Sequence, residues 1–302
     1  MVNYLQLARW PNLAMIVLLQ YLVRYALASP LLEFDNKGLL LTGFEFFVLV
    51  LSCVCIAAGG YVINDIEDAD IDAINKPERK IIGSGISKES AHTYYLVLTF
   101  LGIAGGFFLT YVQGYSYIAM INMVCAGLLY FYSTSYKCIP LLGNVIISLL
   151  SALVIFMVIL PEPFAKENPA VMLMVGAYMF FSFITTFIRE LIKDIEDLEG
   201  DRKNGCQTLP TWLGPGISKF TSIVLTLLLL VLLAGIQILS RQWETPLPFY
   251  FILVFVDFPL LILCIKLMKA REKSDYSNAS LWLKITMFTG IISLAVFYYS
   301  FN

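Results

Sequence analysis

The sequence predicts an all-α, multi-pass membrane protein, a bundle of nine transmembrane helices. Three observations predict it. Hydrophobic residues make up 59% of the 302 residues and charged residues only 14%, against about 25% charged in a soluble domain. Apolar runs near the roughly 20 residues that cross a bilayer recur along the whole chain. Lys and Arg gather in alternate connecting segments.

The runs fall at about 12–32, 43–63, 94–112, 116–133, 141–160, 170–189, 217–239, 247–268 and 281–300. Arg9-Trp10-Pro11-Asn12 leads into the first. Pro11 suits the first turn of a helix, and Asn12 carries an amide that needs a partner into the membrane end. Only Gln113-Gly114-Tyr115 separates the third run from the fourth, so that pair is a hairpin. Placing the N-terminus inside puts Arg9, Lys76, Arg79, Lys80, Lys88, Lys137, Lys193, Arg202, Lys203, Lys219, Lys266, Lys269, Arg271 and Lys273 on the cytoplasmic side. Lys37, Lys166 and Arg241 then lie outside. No small-residue cleavage site follows a short apolar core, so no cleavable signal peptide is expected.

Cys53, Cys55, Cys125, Cys138, Cys206 and Cys264 form no CxxC pair and are expected to be reduced packing residues. His92 is the single histidine, which argues against a histidine-ligated zinc, haem or non-haem iron site and against a Ser-His-Asp hydrolase.

Chemistry enters at the end of the second run, in Asn64-Asp65-Ile66-Glu67-Asp68-Ala69-Asp70-Ile71-Asp72. On a helix, Asp65, Asp68 and Asp72 lie within about 60° of one another, while Glu67 and Asp70 point elsewhere. An Asp at the bilayer centre costs about 2.5–3.5 kcal/mol. For one such motif, a solvated helix end is the plain alternative. The end of the sixth run repeats the pattern as Lys193-Asp194-Ile195-Glu196-Asp197-Leu198-Glu199-Gly200-Asp201. Asp194, Asp197 and Asp201 match Asp65, Asp68 and Asp72 at one offset, and Glu190 adds a carboxylate one turn earlier. Two facing clusters of hard oxygen ligands call for a cation of the Mg²⁺ type, completed by substrate phosphate. Mn²⁺ is expected to substitute.

A basic, glycine-bearing loop follows each motif: Arg79-Lys80 before Gly83, and Arg202-Lys203 before Gly205. These cations suit phosphate oxygens, with a positive-inside anchor as the alternative. Lys137, among tyrosines, is either a diphosphate contact or an interfacial anchor. The constant offset divides the single domain, 1–302, into parallel pseudo-repeats at about 1–135 and 136–268, with the ninth run, 281–300, appended. Parallel repeats also occur in transporters, and intramembrane carboxylates often mark ion pathways, so an ion-coupled transporter is the competing class. Against it, the carboxylates gather at one face instead of the midplane.

These residues resemble the UbiA-type intramembrane prenyltransferase family. The resemblance rests on Asn64-Asp65-x-x-Asp68-x-x-x-Asp72 and Lys193-Asp194-x-x-Asp197-x-x-Gly200-Asp201. Tyr132-Ser133, Lys137, Pro140, Gly143-Asn144 and the Arg9 to Asn12 start also fall on family positions. Many members have Arg-Pro where this chain has Arg79-Lys80. The resemblance implies Mg²⁺-dependent transfer of a polyprenyl group from a prenyl diphosphate to a lipid or aromatic acceptor, among membrane lipids and with no nucleic-acid partner. It implies metal ligation and catalysis by Asp65, Asp68, Asp72, Asp194, Asp197 and Asp201. Arg9, Asn12, Asn64, Arg79, Lys80, Lys137, Glu190 and Lys193 become the expected substrate-binding residues. The start most resembles members acting on geranylgeranylglyceryl phosphate; the alternative acceptor is 4-hydroxybenzoate or dihydroxynaphthoate. With the diphosphate neutralised, Arg9, Lys137, Arg202 and Lys203 are the cations expected to meet a second anion.

Overall fold

The computed structural model describes residues 2–69, 81–83, 85–114, 116–239 and 246–301. Nine helices among them are long and apolar enough to cross a membrane: α1 (Trp10–Phe34), α2 (Gly43–Glu67), α3 (Lys88–Gln113), α4 (Tyr117–Thr134), α5 (Leu142–Ile159), α6 (Pro169–Glu196), α7 (Pro215–Ile238), α8 (Leu247–Lys269) and α9 (Lys273–Ser300). The protein is a multi-pass integral membrane protein. Every expected span is present.

Several helices outlast their apolar runs because polar residues cap them beyond the run. The Ser87 hydroxyl accepts from the Ser90 N–H at 3.2 Å, so α3 starts at Lys88 instead of near 94. Thr42 and Glu45 cap each other at the start of α2: Thr42 Oγ1 accepts from Glu45 N at 3.3 Å, and Glu45 accepts from Thr42 N at 2.7 Å. At the other end α2 runs on to Glu67, and α6 runs on to Glu196. Gly114, at φ 75°, turns α3 into the expected hairpin.

Membrane helices associate through close packing and interhelical hydrogen bonds more than through hydrophobic burial. A Cβ on Gly102 would sit 3.0 Å from the Ser52 carbonyl oxygen, so the missing side chain is what lets α3 lie against α2. Asn122 of α4 then donates to Ser52 Oγ at 2.7 Å and to the Gly102 carbonyl at 3.1 Å, tying three helices at one buried point.

At the end of the bundle remote from the aspartate motifs, a buried ion pair clamps the connections. Arg24, on a π-turn of α1 spanning Val23–Ala28, meets Glu162 at 2.9 Å, with side chains 4% and 2% exposed. Arg24 also donates to the Leu41 carbonyl, while Glu162 accepts from the Leu40 and Leu41 amides.

One expectation is corrected. Cys138 and Cys206 form a disulfide, with Cα atoms 4.5 Å apart, so these two are not reduced. They lie 68 residues apart, and folding joins their loops: Gln207 N donates to the Cys138 carbonyl at 3.2 Å. The other four cysteines are free.

Removing one partner of a buried pair leaves a charge without compensation. Glu162→Ala is therefore expected to cost about 3–5 kcal/mol in unfolding measured in mild detergent. Glu199→Ala, which removes an exposed ion pair to Lys203, should leave the melting temperature unchanged.

Candidate active site

The two aspartate motifs close their helices in the same way. Asp68 caps α2 at φ −85°, ψ 0°, with its N–H on the Asn64 carbonyl at 2.8 Å. Asp197 caps α6 at φ −96°, ψ 6°, with its N–H on the Lys193 carbonyl at 2.8 Å. The chain then re-enters a short helix, Leu198–Lys203, which carries Asp201. The second motif is thus two helical pieces joined at Asp197, not the single stripe expected from spacing.

A polar pocket lies where these ends meet. Among the described residues, Asp68, Glu190, Asp194, Asp197 and Asp201 all line it, against two ammonium groups, Lys137 and Lys193. Neighbours hold the carboxylates in place. Asn64 Nδ2 donates to Asp68 at 2.6 Å, and Lys137 pairs with the other oxygen of Asp68. Asn144, at the start of α5, donates to Asp194 at 2.8 Å. Thr208 donates to Asp201 at 3.3 Å. Lys193 lies 3.5 Å and Arg189 3.1 Å from Glu190. Lys137 reaches the pocket from the turn Tyr136–Cys138, which packs on Gly143; a Cβ there would come within 3.0 Å of the Lys137 Cα.

Asp65 does not line this pocket. Its carboxylate is held at 2.6 Å by Arg9, which stacks on the Tyr61 ring at 5.0 Å. Asn12 takes up its predicted need for a partner at the Tyr61 hydroxyl, 3.4 Å away. Asp70, Asp72, Arg79 and Lys80 lie outside the described residues. Arg202 and Lys203 are exposed and line neither the polar pocket nor the cavity beside it.

The donor set fits a hard divalent cation. Burial, with Asp197 and Asp68 nearby, pushes the Asp201 carboxyl up to about 6, against the pull of Thr208 and Lys137. Carboxylates so outnumbering ammonium groups are stabilised by added positive charge. Among the described residues, no three acid, thiol or imidazole groups close on one point as a finished cage. Mg²⁺ does not need one, since it keeps waters and shares its shell with substrate phosphate.

A second cavity, of about 300 Å³, adjoins the pocket, and Asn64, Tyr132, Glu190 and Lys193 line both. Most of its wall is apolar, drawn from α1, α2, α4, α5, α6 and α9, with Leu19, Ile56, Val154 and Ile291 among the lining. Arg9 and Asn12 line it as well. The arrangement is a charged mouth over an apolar chamber. Sequence reading passed over Arg189 and Lys284, which also line the chamber. The available signal was a lone cation inside an apolar run, which is costly enough to mark a site.

Comparisons with known proteins bear on the family and the fold. The model of the UbiA prenyltransferase family matches residues 17–297. A digeranylgeranylglyceryl phosphate synthase from Saccharolobus solfataricus is 33% identical, over 96% of this chain and 95% of its own length. A solved structure concerned with digeranylgeranylglyceryl phosphate synthase in membranes superposes with a TM-score of 0.66 at 25% identity, covering 98% of this chain and 97% of that one. A UbiA homologue from Archaeoglobus fulgidus, solved with GPP and Mg²⁺ bound, has a TM-score of 0.58 at 16% identity, covering 97% of this chain and 99% of its own, a likeness of fold.

If these carboxylates bind metal, Mg²⁺ stabilises the folded protein by mass action, by about 2.7 kcal/mol at a hundred times its Kd. Thermal unfolding with Mg²⁺ against EDTA should show the gain, and Asp194→Asn or Asp197→Asn should abolish it.

Proposed function

Because this chain belongs to the UbiA prenyltransferase family, we propose that it transfers a polyprenyl group from its diphosphate to geranylgeranylglyceryl phosphate, with Mg²⁺ as cofactor. One observation carries the proposal: four carboxylates from the two motifs, with Glu190, converge at the mouth of an apolar chamber. The same placement disfavours an ion-coupled transporter, whose charged groups would line a path across the bilayer.

Asp68, Asp194, Asp197 and Asp201 would hold the metal, with Asp65 beside them and Asp72 in the role its motif position implies. Bound Mg²⁺ neutralises charge on the departing diphosphate. Lys137 and Lys193 add positive charge at the same mouth, and Arg79 and Lys80, which follow the first motif in sequence, would add to it. Asn64 and Asn144 orient carboxylates of the two motifs. The apolar wall holds the prenyl chain and excludes water, so the allylic carbon that loses diphosphate meets the acceptor hydroxyl first. Arg9, fixed by Asp65 and Tyr61, and Asn12 would meet the substrate in the chamber that they help to line. The relatives named as digeranylgeranylglyceryl phosphate synthases favour the phosphate-bearing lipid over an aromatic acid.

The chain is further proposed to consist of two parallel repeats, supported by the matched caps Asp68 and Asp197. Its N-terminus and aspartate motifs face the cytoplasm, supported by the Lys and Arg bias toward that end. For Lys37→Cys, an impermeant maleimide should react from outside intact cells; reaction only from the cytoplasmic side contradicts the orientation.

The activity is tested with geranylgeranyl diphosphate and, in parallel, geranylgeranylglyceryl phosphate, 4-hydroxybenzoate or dihydroxynaphthoate. Diphosphate release should need the lipid acceptor and stop in EDTA. Preferential use of an aromatic acid overturns the acceptor and leaves prenyl transfer standing.

A further inference from the structure

Charge is sorted between the two adjoining spaces. Among the described residues, the polar pocket is lined by five carboxylates and two ammonium groups. Among the described residues, the charged lining of the apolar chamber is Arg9, Arg189, Lys193 and Lys284, with Glu190 as the one acidic residue. Cations in a membrane interior are costly, so their gathering in the wall of one chamber calls for an occupant.

Three of the donors on that wall have hydrogen-bonding capacity with nothing to meet it. Arg189 gives Nη1 to Glu190 at 3.1 Å, but its buried Nε has no hydrogen-bond partner among the described residues. The Thr186 hydroxyl, one turn earlier on α6, is buried and also lacks one. Thr186 and Arg189 stand three residues apart, on one face of α6. Lys284, half-buried on α9, makes no hydrogen bond or ion pair to a described residue, and the charges nearest in effect are the guanidinium groups of Arg189 and Arg9. Helices α6 and α9 pack together, and Thr186, Arg189 and Lys284 all line the chamber. Arg9 and Lys137, by contrast, are paired with Asp65 and Asp68.

We propose that Thr186, Arg189 and Lys284 form a metal-free anion site in the wall of the chamber that binds the phosphate of the acceptor lipid, with Glu190 as the carboxylate beside Arg189. The inference rests on the acceptor assigned under Proposed function. A phosphomonoester near neutral pH carries close to two negative charges and three acceptor oxygens, which matches a guanidinium, an ammonium and a hydroxyl. Metal and diphosphate occupy the acidic pocket, and the acceptor's phosphate is held by protein cations alone. The apolar wall takes both hydrocarbon chains.

The test is binding without turnover. Purified protein in EDTA is titrated with geranylgeranylglyceryl phosphate and with its alcohol, geranylgeranylglycerol. The wild type should hold the phosphate about 10- to 100-fold more tightly, the range expected for charge-assisted hydrogen bonds. Lys284→Met and Arg189→Gln should each erase most of that preference, while Lys284→Arg keeps it. In turnover assays Lys284→Met should raise KM for the acceptor and leave KM for the prenyl diphosphate in place, with melting temperatures reporting that the variants fold. Equal binding of phosphate and alcohol by the wild type overturns the site, as does an unchanged preference in Lys284→Met or a rise confined to the diphosphate KM. Lys284-dependent binding of the phosphate lipid without prenyl transfer to it refutes the acceptor assignment and leaves the anion site standing.

Discussion

Like-charge repulsion among five carboxylates at a membrane surface is the constraint on which the rest of this structure depends. Asp68 comes from the end of α2, and Glu190, Asp194, Asp197 and Asp201 come from the end of α6 and the short helix after it. Such a set is stable only with fixed donors and added positive charge. Asn64, Asn144, Thr208, Lys137 and Lys193 supply part of it, each from a position that the fold must keep. The Cys138–Cys206 link and the Gly143 contact both hold the Lys137 turn near the Asp201 segment. What remains negative is what a divalent cation and a diphosphate would use.

The opposite end of the bundle meets a different requirement. The Arg24–Glu162 pair and its backbone partners tie together the connections beyond α1 and α5. Between the two ends lies the apolar chamber, bounded by six of the nine spanning helices. Helices α3, α7 and α8 stay outside its lining and brace those six. Reactivity is thus confined to one end, and hydrocarbon is confined to the middle.

The sequence makes the bundle legible because span length and composition are one-dimensional properties. Runs of near 20 apolar residues announced every spanning helix, and the repeated DxxDxxxD spacing announced both helix ends that build the pocket. Pairings are three-dimensional, and they were hidden. Nothing in the spacing says that Asp65 turns to Arg9 while Asp68 turns to the pocket, or that Cys138 meets Cys206 across 68 residues. Arg24, Arg189 and Lys284 were submerged in apolar runs, where averaging over a span hides a single charge. Read singly, each such cation is a flag, because a buried charge persists only where a partner or a ligand rewards it.

The central claim is that the two aspartate motifs act as one unit on one metal-bound diphosphate. The direct measurement is kcat/KM for Asp68→Asn, Asp197→Asn and the double variant under saturating Mg²⁺. Each single change should cost about 10²–10³-fold, the scale of losing one stabilising contact to developing charge. The double variant should fall little further, because residues that act together are not additive. Losses that simply multiply in the double variant would contradict the account.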